Sequence, residues 1–189
     1  MPGIENLMRP HMAKFTTYHG VDPSEKLAED AGIKPEDVIR LNANENPYGA
    51  LPEVSAALKD IPLHLYPDPN QRRLRQALSE YTGQPVERII AGAGGDEIID
   101  LLMRLFVDSG QLVLDCEPTF GMYSFAARLA DAEIASIPRN GNWDLDTPAM
   151  LNAIDDRARI VFLASPNNPT GNLLTESDAR ALLDAGVIV

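Results

Sequence analysis

The chain has 189 residues, of which 44% are hydrophobic, so it is long enough to bury the core of one domain with a small appendage. Its formal net charge of -12 opposes binding to nucleic acid or to an anionic membrane surface, and we expect neither as a partner. The sequence contains no apolar run that would span a membrane and no signal-peptide pattern at its start. Cys116 is the single cysteine, which fits a protein of the reducing cytoplasm.

The N-terminal part of the chain is rich in turn-forming residues. Residues 1–21 show little helical or strand periodicity and are predicted to form an arm. A short helix is predicted over 23–31, with Asp22 as its N-cap and Pro23 in its first position. Asparagine, proline and glycine cluster in 42–52, which predicts turns there.

Two further helices are predicted before the pattern changes. The first covers 53–60, and the second covers 71–82 after a proline-containing stretch, 63–70, that must be extended or turned. The second helix is amphipathic, since one of its faces carries the apolar residues Leu74, Ala77, Leu78 and Tyr81.

From Gly83 onward, short apolar segments alternate with helical segments. Strands are predicted over 89–91, 112–114, 132–137 and 160–164, and a fifth begins at 187–189. Helices are predicted over 96–107, 120–130, 147–154 and 175–183, the last of them with Thr175 as its cap. The residues of the first of these helices predicted to face inward are Ile98, Leu101, Leu102 and Leu105. This alternation predicts an α/β fold with a largely parallel sheet.

The last residues form an apolar segment that stops at Val189. Domains normally end on exposed polar segments. We therefore expect the 189-residue chain to be the N-terminal part of a longer protein. On its own it would have an unpaired strand edge and uncovered apolar helix faces.

Ligands of open α/β sheets bind beyond the carboxyl ends of the strands, so the segments after the strands are candidate sites. The first strand is followed by GAGGDE (92–97), which runs into a helix. Its glycines allow close backbone approach, and the N–H groups of a helix start can bind a phosphate. A tight strand-to-helix turn with Asp96 as the cap explains the same residues, and the motif alone does not decide between the two.

Two other segments follow strands. Phe120, in 117–123, can stack on a flat cofactor, although on its own it is better explained as a core aromatic that closes the sheet. In SPNNPTG (165–171), two prolines and a glycine fix an unusual backbone path at the carboxyl end of a strand, and an amide held there can bond a ligand oxygen. The alternative for this segment is a rigid loop. The histidines His11, His19 and His64 are scattered, and we expect no metal site.

Five motifs stand in a fixed order, and together they resemble the fold-type-I pyridoxal-phosphate aminotransferases, above all the histidinol-phosphate aminotransferase group. The motifs are LNANENPYG (41–49), LYPDP (65–69), AGAGGDEIIDLL (91–102), EPTFGMYS (117–124) and SPNNPTG (165–171). The resemblance implies an incomplete large domain over 51–189, with a mostly parallel sheet flanked by helices. Residues 1–50 are then an N-terminal arm and a segment of the small domain.

The resemblance also implies pyridoxal 5'-phosphate as the cofactor and assigns residues to it. Gly95 and Asp96 look like the residues that hold its phosphate, Asp96 through its backbone N–H. Phe120 takes the place of the aromatic that stacks on the pyridine ring, and Asn168 that of the amide that bonds the ring's 3-oxygen. Tyr66 resembles the tyrosine that reaches the cofactor phosphate of the neighbouring subunit, which implies a homodimer.

The implied reaction is the transfer of an amino group from an amino donor to a 2-oxoacid. The expected pair is histidinol phosphate and 2-oxoglutarate, giving imidazole acetol phosphate and glutamate in L-histidine biosynthesis. Tyr18 and Asn44 resemble parts of the substrate mouth. The family's cofactor-bound lysine has no counterpart, because Lys14, Lys26, Lys34 and Lys59 all precede the sheet. We therefore assign no catalytic residue and expect the chain alone to be inactive.

Other functions remain open at this point. The same motifs would serve an L-threonine-O-3-phosphate decarboxylase-like or an aromatic aminotransferase-like enzyme. A non-catalytic binding remnant is also compatible with the sequence. A dinucleotide-binding domain is disfavoured, because Gly92–Gly95 lacks the glycine spacing that such domains require.

Overall fold

The computed structural model describes residues 3–18 and 20–189. The chain divides into two compact units. The sheet unit comprises Met1–Thr16 and Ala77–Val189, and the helical unit comprises Thr17–Gln76. None of the helices in the described residues is long and apolar enough to cross a membrane.

The helical unit contains helices α1 (Ser24–Ala31) and α2 (Pro52–Lys59), and α3 (Arg72–Thr82) begins in it. These helices confirm the three that were predicted. The predicted cap of α1 is wrong by one residue, because Pro23 is the N-cap and makes no side-chain cap bond. The extended backbone of Pro23, with φ -66° and ψ 158°, places Asp22 outside the helix.

The apolar face predicted for α3 is largely exposed, although Leu78 is half-buried. Leu74 is 50% exposed and Tyr81 is 89% exposed. A helix of this length gains most of its stability from packing of its apolar face, so α3 has a face suited to further burial.

The sheet unit has three parallel strands in its described residues, in the order β2-β1-β3. The strands are β1 (Leu112–Glu117), β2 (Glu133–Pro138) and β3 (Ala158–Val161). The helices are α4 (Gly95–Phe106), α5 (Met122–Leu129), α6 (Thr147–Ala153) and α7 (Glu176–Leu183). The predicted α/β class is confirmed, as is the Thr175 cap, whose Oγ1 accepts a hydrogen bond from Asp178 N at 3.1 Å.

Strand β1 separates two core layers because successive side chains of a strand point to opposite faces. On one face Val113 packs in a cluster with Met103 of α4 and Ala127 of α5. On the other face Leu114 packs in a cluster with Met150 and Leu182, from α6 and α7. The parallel strands between these two layers bring the segments that follow β1 and β3 to one edge of the sheet.

Two predicted strands differ from the structure. Residues 89–91 belong to no strand among the described residues, and Ile90 is 78% exposed. Apolar composition makes a segment suitable for a strand, but a strand forms only beside a partner, and the β2-β1-β3 sheet leaves these residues outside. The predicted fifth strand is reduced to one parallel bridge, between Ile160 and Ile188.

The inward face predicted for α4 is also partly wrong. Ile99 and Met103 are buried, whereas Leu101 is 41% exposed and Leu105 is 71% exposed. Helix α4 carries apolar residues on more than one face, so periodicity alone does not determine which face packs against the sheet.

Candidate functional site

The segments after β1 and β3 are joined by the side chain of Asn167. Thr119 Oγ1 donates to Asn167 Oδ1 at 2.9 Å, and Asn167 Nδ2 donates to Pro118 O at 3.0 Å and to Thr170 Oγ1 at 2.9 Å. Asn167 is only 4% exposed. The structure therefore brings together the two segments that carry Phe120 and Asn168.

Phe120 is half-buried and packs against the core cluster of β1, α4 and α5. Its ring meets Tyr123 edge-on, with centroids 5.6 Å apart. Tyr123 in turn stacks on Phe162, which directly follows β3. The ring of Phe120 thus rests on an aromatic support at the carboxyl edge of the sheet, with part of its surface still accessible.

Asn168 is exposed beside the buried Asn167. The backbone around them is closed by two hydrogen bonds, from Gly171 N to Asn167 O and from Asn167 N to Asn172 O, each 2.8 Å long. Leu174 N also donates to Ser165 Oγ at 3.0 Å. The loop holds Asn168 on a backbone fixed at several points, and the side chain of Asn168 faces solvent.

The start of α4 is shaped by glycines. Gly94 is the N-cap, with φ 96° and ψ 175°, and no described side chain caps the helix. A Cβ built on Gly94 or Gly95 would meet no described atom within 4 Å, whereas one on Gly92 would lie 2.7 Å from Glu97 Oε2. The first-turn backbone N–H groups have no intrahelical partner, and no described atom fills the space beside Gly94 and Gly95 where a side chain would lie.

The first turn of α4 also carries two carboxylates, those of Asp96 and Glu97. Asp96 lies one residue inside the helix, so the alternative in which its side chain is the cap is wrong. Glu97 Oε2 accepts a hydrogen bond from Ala93 N at 2.5 Å, which partly occupies that carboxylate. An anion bound here would meet the positive end of the helix dipole and backbone N–H groups.

The other residues assigned by resemblance belong to the helical unit. Tyr66 is fully exposed, Tyr18 is 50% exposed, and Asn44 is exposed with a φ of 53°. In the motif 41–49, which contains Asn44, the side chain of Asn46 stabilises a turn. Its Oδ1 accepts a hydrogen bond from Tyr48 N at 3.0 Å, and its Nδ2 donates one to Gly49 O at 2.9 Å. Their roles remain assignments from the sequence.

Sequence reasoning missed Asp115, a buried carboxyl near the end of β1. Asp115 is 2% exposed, and its Oδ1 has no hydrogen-bond partner among the described residues. Burial raises the pKa of Asp115, and a hydrogen bond from Ser136 partly opposes that rise. Burial and the charge of Asp115 also raise the pKa of Tyr123. The available signal was one acidic residue inside the apolar run LVLDC.

Sequence reasoning also missed the role of Asn167, although it singled out the loop that contains it. Because Asn167 and Asn168 are adjacent and of the same residue type, only the fold shows which one is buried.

Within the described residues, no group of three or more histidine, cysteine, aspartate or glutamate side chains is placed to hold a metal ion. His19 lies outside the described residues.

Comparison with known proteins relates this geometry to a family. The model of the aminotransferase class I and II family matches residues 36–187. The chain is 47% identical over 193 residues to the histidinol-phosphate aminotransferase of Roseiflexus castenholzii, over 98% of this chain and 52% of that protein. It is 40% identical to the chloroplastic histidinol-phosphate aminotransferase 1 of Arabidopsis thaliana, over 98% of this chain and 45% of that protein.

A solved structure agrees with these sequence matches. The histidinol-phosphate aminotransferase from Sinorhizobium meliloti, crystallised in complex with pyridoxal-5'-phosphate, matches 94% of this chain with a TM-score of 0.80 and 25% sequence identity. The match covers 47% of that protein, and the chain spans about half the length of the curated relatives it matches. Because the family model covers most of its residues, the chain belongs to the aminotransferase class I and II family.

Proposed function

We propose that the protein expressed from its complete gene is a pyridoxal-phosphate-dependent aminotransferase acting in L-histidine biosynthesis. The observation that carries this proposal is the joining of the Phe120 and Asn168 segments at one edge of the sheet by Asn167. An aromatic ring and an exposed amide held together there suit a flat heteroaromatic cofactor.

The residues present fit pyridoxal phosphate in their chemistry. The backbone N–H groups of Gly95 and Asp96 would hold its phosphate, since open space adjoins Gly94 and Gly95. Phe120 would stack on the pyridine ring, and the amide of Asn168 would bond the ring's 3-oxygen. Bound pyridoxal phosphate supplies the aldehyde group that carries the amino group between substrates.

The residues of this chain would bind the cofactor and orient its ring. The edge-on contact with Tyr123 restricts rotation of the Phe120 ring, so Phe120 would offer a stacked cofactor a fixed aromatic face. The Asn168 loop is closed by backbone bonds, so less backbone freedom would be lost when the Asn168 amide binds a ligand. None of these residues is proposed to transfer a proton.

The proposed substrates are histidinol phosphate and 2-oxoglutarate. This choice is supported by the names of the relatives from Roseiflexus castenholzii and Arabidopsis thaliana. Tyr18 and Asn44 are proposed to line the substrate mouth, and both are accessible enough to contact a ligand.

We further propose a homodimer of the complete protein in the cytoplasm. Tyr66 is fully exposed, which leaves its hydroxyl accessible to the cofactor phosphate of a neighbouring subunit. In that enzyme, residues 1–50 would form the arm and a small-domain segment, and 51–189 would form part of the large domain.

The test is a comparison of amino donors with the protein from its complete gene. Glutamate formation from 2-oxoglutarate should be fastest with histidinol phosphate. A preference for aromatic amino acids would make the protein a different aminotransferase, and release of carbon dioxide from L-threonine O-3-phosphate would make it a decarboxylase. The 189-residue chain alone should form no glutamate, and host aminotransferase is excluded by a mock purification.

A further inference from the structure

We propose that Asn167 is a positioning residue that sets the distance between the ring-stacking segment and the amide-bearing segment of the cofactor site. The inference rests on the proposed function. It concerns a residue that binds no part of the cofactor itself but ties together Pro118 and Thr119, which precede Phe120, and Thr170, which follows Asn168.

These contacts occupy both N–H donors of the Asn167 amide and one acceptor site of its oxygen. Its two N–H donors are taken by Pro118 O and Thr170 Oγ1, at 3.0 Å and 2.9 Å. Its oxygen accepts from Thr119 Oγ1 at 2.9 Å. A buried amide with every donor satisfied holds its neighbours in one arrangement, because any shift leaves a buried polar group unpaired.

The bonds cross between distant parts of the chain. Thr119 and Asn167 are separated by 48 positions, and Pro118 and Asn167 by 49. Backbone pairing between β1 and β3 covers only Leu112, Val113 and Leu114 on the β1 side. Beyond those pairs, the two segments are also connected by the side-chain bonds of Asn167 and by packing of Tyr123 and Phe120 in the cluster that contains Phe162.

The chain offers graded variants and a matched control. Asn167→Ala removes all three bonds, and Thr119→Val removes one of them without a change in side-chain size. Asn172→Ala is the control, because Asn172 is a half-buried asparagine of the same loop whose side chain bonds Asp144 and Asn142 instead. None of these residues is assigned a contact with the cofactor.

The first readout is amide hydrogen exchange of the protein from its complete gene, freed of cofactor. Asn167→Ala should speed exchange in both 117–123 and 165–172, and Thr119→Val should do so to a smaller extent. Asn172→Ala should leave exchange in 117–123 unchanged. Faster exchange in only one of the two segments would overturn the proposal, and so would unchanged exchange in Thr119→Val if Asn167→Ala does not fold.

The second readout is affinity for pyridoxal phosphate, measured by equilibrium titration. Loss of a buried hydrogen-bond set should weaken binding by about tenfold in Asn167→Ala. Affinity equal to that of Asn172→Ala would overturn the positioning role. If the wild-type protein binds no pyridoxal phosphate, the proposed function is wrong, and so is the positioning role. Amide hydrogen exchange would still show whether Asn167 holds segments 117–123 and 165–172 together.

Discussion

Asp115 of β1 lies directly opposite Ser136 of β2 in the parallel ladder, and a hydrogen bond from Ser136 reaches its carboxyl group. The other oxygen, Oδ1, has no partner among the described residues, although the side chain is almost fully buried. Removing a carboxylate from water without full hydrogen bonding is unfavourable, so burial of Asp115 lowers the stability of the fold when its carboxyl group is charged.

The first prediction concerns the pH dependence that Asp115 imposes. Burial raises its folded-state pKa above 3.8, with the nearby Glu117 charge adding to the effect. The folded protein then holds the proton more tightly than the unfolded chain does. The stability from Asp115 is therefore fully present below pH 3.8 and is lost as pH rises through the raised pKa.

The variant Asp115→Asn should remove this dependence. Relative to the wild type, its free energy of unfolding should rise with pH and exceed the wild-type value by on the order of 1 kcal/mol at neutral pH. Urea unfolding at several pH values measures the difference. The exposed Asp156→Asn is the charge-matched control, and an equal difference for both variants would refute the prediction.

A second prediction concerns Asp68, in the LYPDP motif next to Tyr66. Its pKa is lowered to about 2, first by the Arg72 side chain and then by the backbone N–H groups of Asn70 and Arg72. The Arg72 Nε to Asp68 Oδ2 distance is 2.8 Å. Any stability from this contact is present above pH 3.8 and is lost as pH falls through about 2.

Carbon-detected NMR titration of the Asp68 carboxyl group tests this directly. The midpoint should lie near 2 in the wild type and rise in Arg72→Gln. Arg73→Gln, one position along the same exposed turn, should leave the midpoint where it is. A wild-type midpoint near 3.8 would show that the contact with Arg72 does not persist in solution.

A third prediction separates Gly94 from its neighbour. With φ 96° and ψ 175°, Gly94 has a backbone conformation that is open almost exclusively to glycine. Gly94→Ala should lower the free energy of unfolding by about 1–3 kcal/mol. Gly95→Ala should cost nothing, because Gly95 is helical and its Cβ would meet no described atom within 4 Å. Equal effects in denaturant unfolding would contradict the assigned backbone.

The sequence predicted the elements that depend on local pattern. The segment around Leu112 and the helix capped by Thr175 were found because apolar runs and capping residues act over a few positions. Residues 89–91 were predicted as a strand and are not one, since strand formation depends on a neighbour that local pattern does not specify. The buried face of α4 was misassigned for a similar reason. Helix α4 has several apolar faces, and its packing against the sheet determines which of them is buried.

The candidate site likewise combines features that local sequence predicts with features that depend on distant contacts. Glycines at the helix start and a restricted loop were visible as motifs in the sequence. The bonds of Asn167 to Thr119 and Pro118 were not, because they join segments 48 and 49 positions apart. The burial of Asp115 likewise depends on which strands flank β1.

Equilibrium titration of the protein from its complete gene with pyridoxal phosphate tests the central claim most directly. We predict saturable binding of one pyridoxal phosphate per chain, weakened in Phe120→Ala and retained in Phe120→Tyr, since either aromatic ring can stack on the cofactor. Circular dichroism of the same samples confirms that the variants are folded. A folded wild-type protein that binds no pyridoxal phosphate would contradict the account.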